Sequence, residues 1–598
     1  MPVGPSWRVL ALLILLSVAA PAQQEEPAAL PYTVTIARTG HAGLDRLLRE
    51  NSGLIALAAL APTDAEGILS RIRAEAEKLR PVFESEGYWA AAISITAAVP
   101  LEPAAMAAVS PGPLALDITP IPGPLYRLRR VETEGGPPIP LAPGQPARAQ
   151  AVLQAEAQAL EALRRDARPL ARITHAVTVD HAAQAMDLHF ISTPGPQAGF
   201  ADPTVTGTED VNPELVRRVA ALRLAEGSYS PERLARARAD VSALGPFAAV
   251  SLQTGQALDA DGRLPVTVAV RERAFRAISA SAAYETNFGA ALRLAWEHRN
   301  LLGGAQNLRI ELEASRLGSD LNRTNASAMM TYRQPLPLGM AGTLVTQLAA
   351  IRQRLDSYDR DALTFAALYE RRLSQRWTIA TGPSLEAGQT APPGAPLTPY
   401  QTAGWVVQAR FDSSDSLLDP RRGIRASANL VPSYSFTDGT AYLPLRAAAA
   451  SYFDLSGDGR SILAMRGALG SLVNAQADQV PRSQRFYAGG GGSVRGYDFQ
   501  SIGPRDARNK PAGGASLIEA SVEFRQRIGQ SFGAVAFIDA GAVGTQAFAP
   551  TDALRVGAGL GLRYYTPIGP IRADLALPLI RQQGSGAFGF YVGLGHAY

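Results

Sequence analysis

From about Phe275 to the C-terminus, apolar and polar residues alternate in one stretch after another. A period of two belongs to extended chain and sends successive side chains to opposite faces. Ile518, Ala520, Val522 and Phe524 share one face, and Glu519, Ser521, Glu523, Arg525 and Arg527 share the other. Leu554, Val556, Ala558, Leu560, Leu562 and Tyr564 oppose Arg555, Gly557, Gly559, Gly561 and Arg563, and Ile571, Ala573, Leu575 and Leu577 oppose Arg572 and Asp574. The last stretch sets Phe588, Phe590, Val592, Leu594 and Tyr598 against Gly589, Gly593, Gly595 and Ala597. His596 falls on its apolar face, close enough to the end to reach interfacial water. A water-soluble sandwich would turn its polar face outward, and nothing would require arginines to share an enclosed face with glycines. The pattern predicts a transmembrane antiparallel β-barrel over 275–598, because only a closed sheet leaves no unsatisfied strand edge in lipid. Sixteen strands of about ten residues would use about half of that length. An even number puts both chain ends, and short connectors such as Pro567-Ile568-Gly569-Pro570, on the periplasmic side.

Outside the N-terminus no apolar run reaches the ~18 residues of a membrane helix, and mean hydropathy is only -0.01, so a polytopic helical membrane protein is excluded. Charged residues make up 18%, and 55 Gly with 44 Pro favour strands and turns over helical bundles. The absence of cysteine excludes thiolate metal sites, thiol nucleophiles and disulfides. The net charge of +4 comes from 57 basic residues spread along the chain, of which only Lys78 and Lys510 are lysine, so no nucleic-acid footprint is present. Arg8 precedes the apolar run Val9 to Ala20, which is short for a membrane span, and Ala20-Pro21-Ala22 offers a small-x-small cleavage site. Residues 1–22 are therefore read as a signal peptide, with an uncleaved anchor as the alternative. No Cys follows the run, which closes the lipoprotein route.

Between these segments, one strand–helix–strand–strand pattern recurs over 23–122, 123–196 and 197–274. In the first unit Tyr32 to Ala37 reads as a strand. Thr63 with Glu66 forms a capping box ahead of Ile68, Leu69, Ile72, Ala76, Leu79 and Phe83, and Gly87-Tyr88-Trp89 ends that helix. The second unit opens at Tyr126, carries Leu153, Ala157, Leu160 and Leu163 on its helix, and has Asp166-Ala167 where the first has Gly87-Tyr88. The third pairs Asn212 with Pro213, and Ser230 with Pro231, as cap and first helical residue. His175, His181 and His189 lie close in sequence without carboxylates at ligand spacing, so they are read as structural and no metal site is expected. Units of this kind, with exposed edge strands, suit docking of another chain by strand addition.

The stretch from Arg485 to Asp506 reads RFYAGGGGSVRGYDFQSIGPRD and lies in a loop, Tyr487 to Gly514, on the outer side. Its glycines lack the Lys-Ser/Thr pair and the βαβ setting of a phosphate site. Ser493 lacks a G-x-S-x-G context or a nearby His, so an enzyme is not expected. Arg495 is the informative residue. A guanidinium in a barrel lumen needs carboxylates, and Glu523 and Asp539 stand on wall strands, so the loop is expected to fold inward and dock on the wall. If alternation is strict, Phe537 shares the face of Asp539, which requires either a bulge or an aromatic in the lumen.

The combination of Val494-Arg495-Gly496-Tyr497, Phe537-Ile538-Asp539-Ala540-Gly541, three small α/β repeats and an aromatic C-terminal residue resembles the Omp85 superfamily of outer-membrane assembly and translocation proteins. The resemblance implies that the repeats are periplasmic POTRA domains, that the barrel has sixteen strands, and that Arg495 engages Glu523 and Asp539. Within the superfamily the three repeats, the sequence from Trp296 to Gly303 (WEHRNLLG) and the ending YVGLGHAY look most like the TamA-type branch. That likeness implies an insertase or translocase for outer-membrane β-barrel clients such as autotransporters, embedded in outer-membrane lipid. It also implies a TamB-like, inner-membrane-anchored, periplasm-spanning partner on the first repeat, and no cofactor. A seam between the first strand, Ala277 to Phe288, and the last, Phe588 to Tyr598, would open to accept a client strand. Gly589, Gly593 and Gly595 would weaken pairing there, unless they only relieve crowding in the lumen. The alternatives are a two-partner-type secretion pore for a dedicated exoprotein and a general BamA-like assembly factor.

Overall fold

The computed structural model describes residues 30–597 other than 61, 63, 103–112, 226, 286–288, 318–320, 550–553, 568 and 582–585. The signal segment, Thr63, Phe288, Ile568 and Tyr598 thus lie outside the described residues. The chain forms two compact units, one of residues 1–199 with 228–231 and the other of 200–227 with 232–598.

The first unit holds two α/β repeats. In the earlier one, strand Tyr32–Ile36 runs parallel to the central strand Leu114–Ile121, which is antiparallel to Ala92–Ala97. Helix Ala65–Ser85 buries Ile68, Leu69, Ile72, Leu79 and Phe83 against this sheet. Its cap is Asp64, whose Oδ1 accepts from the Gly67 N–H at 2.7 Å, so the helix begins one residue beyond the Thr63 register. The second repeat has the same order, with Arg127–Glu134 parallel to Ala185–Thr193, and Arg172–Asp180 antiparallel to it. Its helix, Ala149–Arg165, buries Val152, Ala155, Ala159 and Leu163 rather than the face through Leu153 and Ala157, which are exposed. Alanine-rich sequence supports helical spacing in either register, and the small alanines let the helix approach the sheet closely.

Both helices end alike. Gly87 has φ 94 and Ala167 has φ 60, and the next N–H reaches back to Phe83 O at 2.9 Å in one and Leu163 O at 3.2 Å in the other. Ala167 therefore stands in for Gly87, one residue out of step with the pairing of Asp166 to Gly87. A left-handed alanine at a helix end costs about 1–2 kcal/mol that glycine avoids. The histidines take separate partners. His175 Nδ1 lies 2.6 Å from Glu156, His181 hydrogen-bonds Tyr126 at 3.0 Å and His189 lies 3.6 Å from Glu134.

The second unit begins with a third repeat, in which Thr204–Thr206 is parallel to Val266–Glu272 and Phe247–Thr254 is antiparallel to it. Asn212 caps helix Pro213–Leu224 by accepting from Glu214 N–H at 2.9 Å, with Pro213 at the first helical position. A closed barrel follows, running from Arg276–Glu285 to Gly589–Leu594, and each segment neighbours the next in antiparallel order. Among the described residues it has 17 strand segments. Gly423–Leu430 and Ser433–Ser435 are one stave, since both pair with Thr398–Asp412 on one side and Thr440–Asp454 on the other. Val431 and Pro432 interrupt it without a change of register, so Val407 faces Leu430 and Gly404 faces Ser433. Counting that pair once leaves the sixteen staves that the length allows.

Along the late strands one face is apolar and exposed while the other is buried. Leu560, Leu562, Leu575 and Leu577 point outward, and Glu519, Ser521, Glu523 and Arg525 point in. The last strand departs from its alternation at the end. It stops at Leu594, and Gly595, with φ 84, turns the chain inward. His596 is therefore enclosed in the lumen rather than set on the apolar face, with Nε2 3.1 Å from Asp419 of the 413–422 turn.

Glu75 offers a test of how the first repeat is held. Its buried carboxylate accepts from Ser52 Oγ at 2.5 Å, Gly53 N–H at 2.9 Å and Leu54 N–H at 3.0 Å. Glu75→Ala leaves those donors unmet. Hydrogen-exchange mass spectrometry on the full chain should show protection at Gly53 and Leu54 falling by about 2–3 kcal/mol, or roughly 30- to 150-fold faster exchange. Unchanged exchange would mean that the segment is held by its apolar contacts alone.

Candidate functional site

The long connection between strands Ser461–Val473 and Ser516–Ile528 does fold into the lumen. Apolar residues carry it in. Val494, Tyr497, Phe486 and Ile502 cluster with Leu472, Leu517 and Val543 of the wall. Val494 is the first member of the expected motif, and it packs in this cluster rather than making polar contacts. Gly496, at φ 96, lies so close to the wall that a Cβ would sit 2.9 Å from the Leu577 carbonyl carbon. Tyr497 is buried, and its hydroxyl donates to the carbonyls of Ile580 at 2.6 Å and Val556 at 3.0 Å.

Between these anchors Arg495 is 1% exposed. Its Nε donates to Asp539 Oδ2 at 2.7 Å and its Nη2 to Asp539 Oδ1 at 3.0 Å, a two-pronged pair reinforced by its backbone N–H at 3.1 Å. Its Nη1 donates to Glu523 at 3.0 Å and Asp574 at 3.2 Å. Burial alone would disfavour the charged guanidinium, but the hydrogen bonds and charge of Asp539, with the charges of Glu523 and Asp574, outweigh it and raise its pKa. Phe537 does lie in the lumen. The strand from Phe532 to Gly544 pairs with both neighbours without a break in register, and Arg495 Cζ stands 3.3 Å above the Phe537 ring centroid. The ring is thus a cation–π platform for the same guanidinium.

Further residues complete the cluster. Ser521 Oγ donates to Asp539 at 2.6 Å, Arg525 Nε to Glu523 at 2.6 Å, and Arg563 Nη1 to Asp574. The Gly496 N–H donates to Tyr591 Oη at 3.1 Å, and Ser493 Oγ donates to Glu519, which also accepts from Arg466 at 3.0 Å. Arg495, Glu523 and Asp539 are brought together, as the arginine argument requires. Asp574, Phe537, Tyr591, Arg525 and Arg563 join them without having been singled out as site residues. Asp574 is the carboxylate on the inner face of its strand, and Tyr591 is the bulky residue among the glycines of the last strand, so both carried a signal in the alternation itself.

The glycines of the neighbouring strand are a mould for this cluster. A Cβ on Gly557 would lie 2.0 Å from Arg495 O, one on Gly559 2.4 Å from the Phe537 ring, and one on Gly561 2.1 Å from Asp574 Oδ1. On the last strand, Phe590 and the flanking Phe588 are exposed on the outer face, Gly593 faces Arg572, and Gly595 makes the inward turn.

Arg276–Glu285 pairs with its other neighbour at ten positions, from Arg276↔His298 to Glu285↔Gly289, and Gly589–Leu594 pairs with its other neighbour at six. Among the described residues, the register pair between the first and last strands is Glu285↔Tyr591.

Comparison with known proteins fits this geometry. A family model described as the Omp85 superfamily domain matches residues 300–598. The outer membrane protein assembly factor BamA of Nitratidesulfovibrio vulgaris is 34% identical over 133 residues, covering 20% of this chain and 16% of that protein. The BamA of Neorickettsia risticii is 22% identical over 406 residues, covering 64% of this chain and 52% of that protein. The chain thus spans about half the length of the second relative and less of the first. The crystal structure of BamA from Haemophilus ducreyi lacking POTRA domains 1-3 matches with a TM-score of 0.62 at 17% identity, over 79% of this chain and 100% of that one. The likeness is one of fold, POTRA-like α/β units ahead of a barrel. With the domain match spanning half of its length, the chain belongs to the Omp85 superfamily.

Proposed function

We propose that this protein assembles or translocates outer-membrane proteins by strand exchange at its lateral seam, without covalent chemistry. One observation carries the reading. Tyr591 of the last strand stands in register with Glu285 of the first, and its hydroxyl accepts from the Gly496 N–H, next to the buried Arg495. The closure between the first and last strands is therefore tied to the loop that Arg495 seats. Parting those strands exposes an edge that a client hairpin can extend.

In this reading the signal peptide directs export, the units at 23–122, 123–196 and 197–274 are POTRA domains in the periplasm, and the barrel from 275 lies in outer-membrane lipid. Clients are nascent outer-membrane β-barrel proteins, autotransporters among them. The relatives named above are BamA assembly factors, which supports assembly in general. The narrower TamA-type role, with a TamB-like partner on the first repeat, is supported by the WEHRNLLG and YVGLGHAY segments. Arg495, Glu523 and Asp539 act as the lock between loop and wall.

Arg495→Ala removes the cation from three buried carboxylates, a change that costs about 3–5 kcal/mol locally. The expected outcome is a barrel that still migrates as a folded, heat-modifiable species but inserts fewer clients in cells. Asp539→Ala should resemble it, and the double variant should lose much less than the sum, because the pair acts as one unit. Normal client levels with a folded Arg495→Ala barrel would remove the lock from the mechanism.

The seam itself is tested by a photocrosslinking residue at Phe590, which is exposed on the outer face of the last strand. Nascent outer-membrane proteins should be captured there. Capture of one secreted protein from lumen positions, with nothing at Phe590, would identify a dedicated secretion pore instead.

A further inference from the structure

Across the early strands of the barrel, from Gly289–His298 to Trp377–Ala391, the outer wall carries a groove of ≈ 1010 Å³. Its floor is set by register. Ala314 faces Ala326, Ala328 faces Ala350, and Leu363, beside Ala350, faces Ala387, so adjacent strands bring small residues to neighbouring outward positions. Leucines flank it. Leu292, Leu294, Leu312 and Leu363 are each 51–60% exposed and stand proud of the alanines. The groove is thus an apolar channel about one side chain deep on a face that already meets lipid tails.

Its outer end is polar. Arg352, on the same outward face, stands beside Ala326 on one neighbour and Asp361 on the other. Asp361 is taken by Arg354 at 2.7 Å, and Asp356 by Arg316 at 3.0 Å and Arg323 at 2.5 Å. Among the described residues Arg352 has no ion-pair partner, since the carboxylate beside it, Asp361, is held by Arg354. An exposed guanidinium at the end of an apolar channel is complementary to one ligand chemistry: an acyl chain that ends in a phosphate.

We infer that this groove is a binding seat for a single anionic lipid, with one acyl chain along the alanine floor and its phosphate at Arg352. The inference rests on the proposed membrane setting of the barrel and goes beyond it, since a general annulus of lipid would favour no headgroup. Bound there, the lipid would fasten the early strands to the outer leaflet.

The test is native mass spectrometry of the full chain released from detergent micelles doped with dipalmitoyl phosphatidylglycerol or dipalmitoyl phosphatidylcholine. The parent chain should retain one phosphatidylglycerol in preference to phosphatidylcholine, and inorganic phosphate alone should give no adduct. Arg352→Gln should reduce that preference roughly fivefold, the effect of one basic residue near an anionic lipid. Ala328→Phe fills the floor from the lipid side and should lower retention of both lipids, whereas Ala428→Phe, outward-facing elsewhere on the wall, should not. Equal retention by all these forms would overturn the inference, as would a chain dimer that neither groove variant loses to lipid. Heat-modifiable migration of each variant reports separately whether the barrel is folded, so failure of the seat is distinguishable from failure of the membrane reading.

Discussion

A guanidinium enclosed in a protein must be matched by carboxylates at hydrogen-bond distance or the enclosure does not form, and much of this barrel is arranged to meet that demand for Arg495. Three strands of the wall supply Glu523, Asp539 and Asp574, the last of them beyond the strand Arg555–Thr566. Each is on an inward position fixed by strand alternation, so a slip of one residue in any of the three strands would turn its carboxylate to the outer face. The neighbouring strand contributes absence rather than charge. Gly557, Gly559 and Gly561 leave the space that Arg495, Phe537 and Asp574 occupy, and a methyl group at any of the three would lie within 2.4 Å of them. The loop is thus held both by what the wall offers and by what it omits.

That dependence explains which parts were legible in the sequence. Strand alternation is read residue by residue, and it placed Glu523, Asp539 and the arginines on one enclosed face while leaving Phe537 as an apparent misfit. The misfit has a partner. An aromatic inside the lumen makes sense once a guanidinium lies on its ring, a pairing across 42 positions of sequence that periodicity cannot see. For Tyr591 alternation marks the inward position, but not its partner, which is a backbone N–H.

Elsewhere the sequence was ambiguous where two local rules compete. Alternation carried His596 to the apolar face, but Gly595 at positive φ breaks the count and turns the imidazole to Asp419. In the second repeat an alanine-rich helix has two acceptable faces, and only packing against the sheet selects the one through Val152. Ala167 does at its helix end what Gly87 does at the other, so the glycine signal that marks such an end is missing there although the hydrogen bonds are the same.

The same energetics order the events of the proposed mechanism. Releasing the loop strands a cation and three carboxylates in a closed lumen, at a cost of about 3–5 kcal/mol. In the proposed mechanism the loop therefore stays seated while the seam parts. Through Tyr591 the last strand remains attached to that loop, so an incoming client strand meets an edge whose inner face is already held in place. The edge it meets is a template rather than a frayed end. A strand that is free of its neighbour but fixed from behind keeps its pleat and register, and those are what a pairing strand requires.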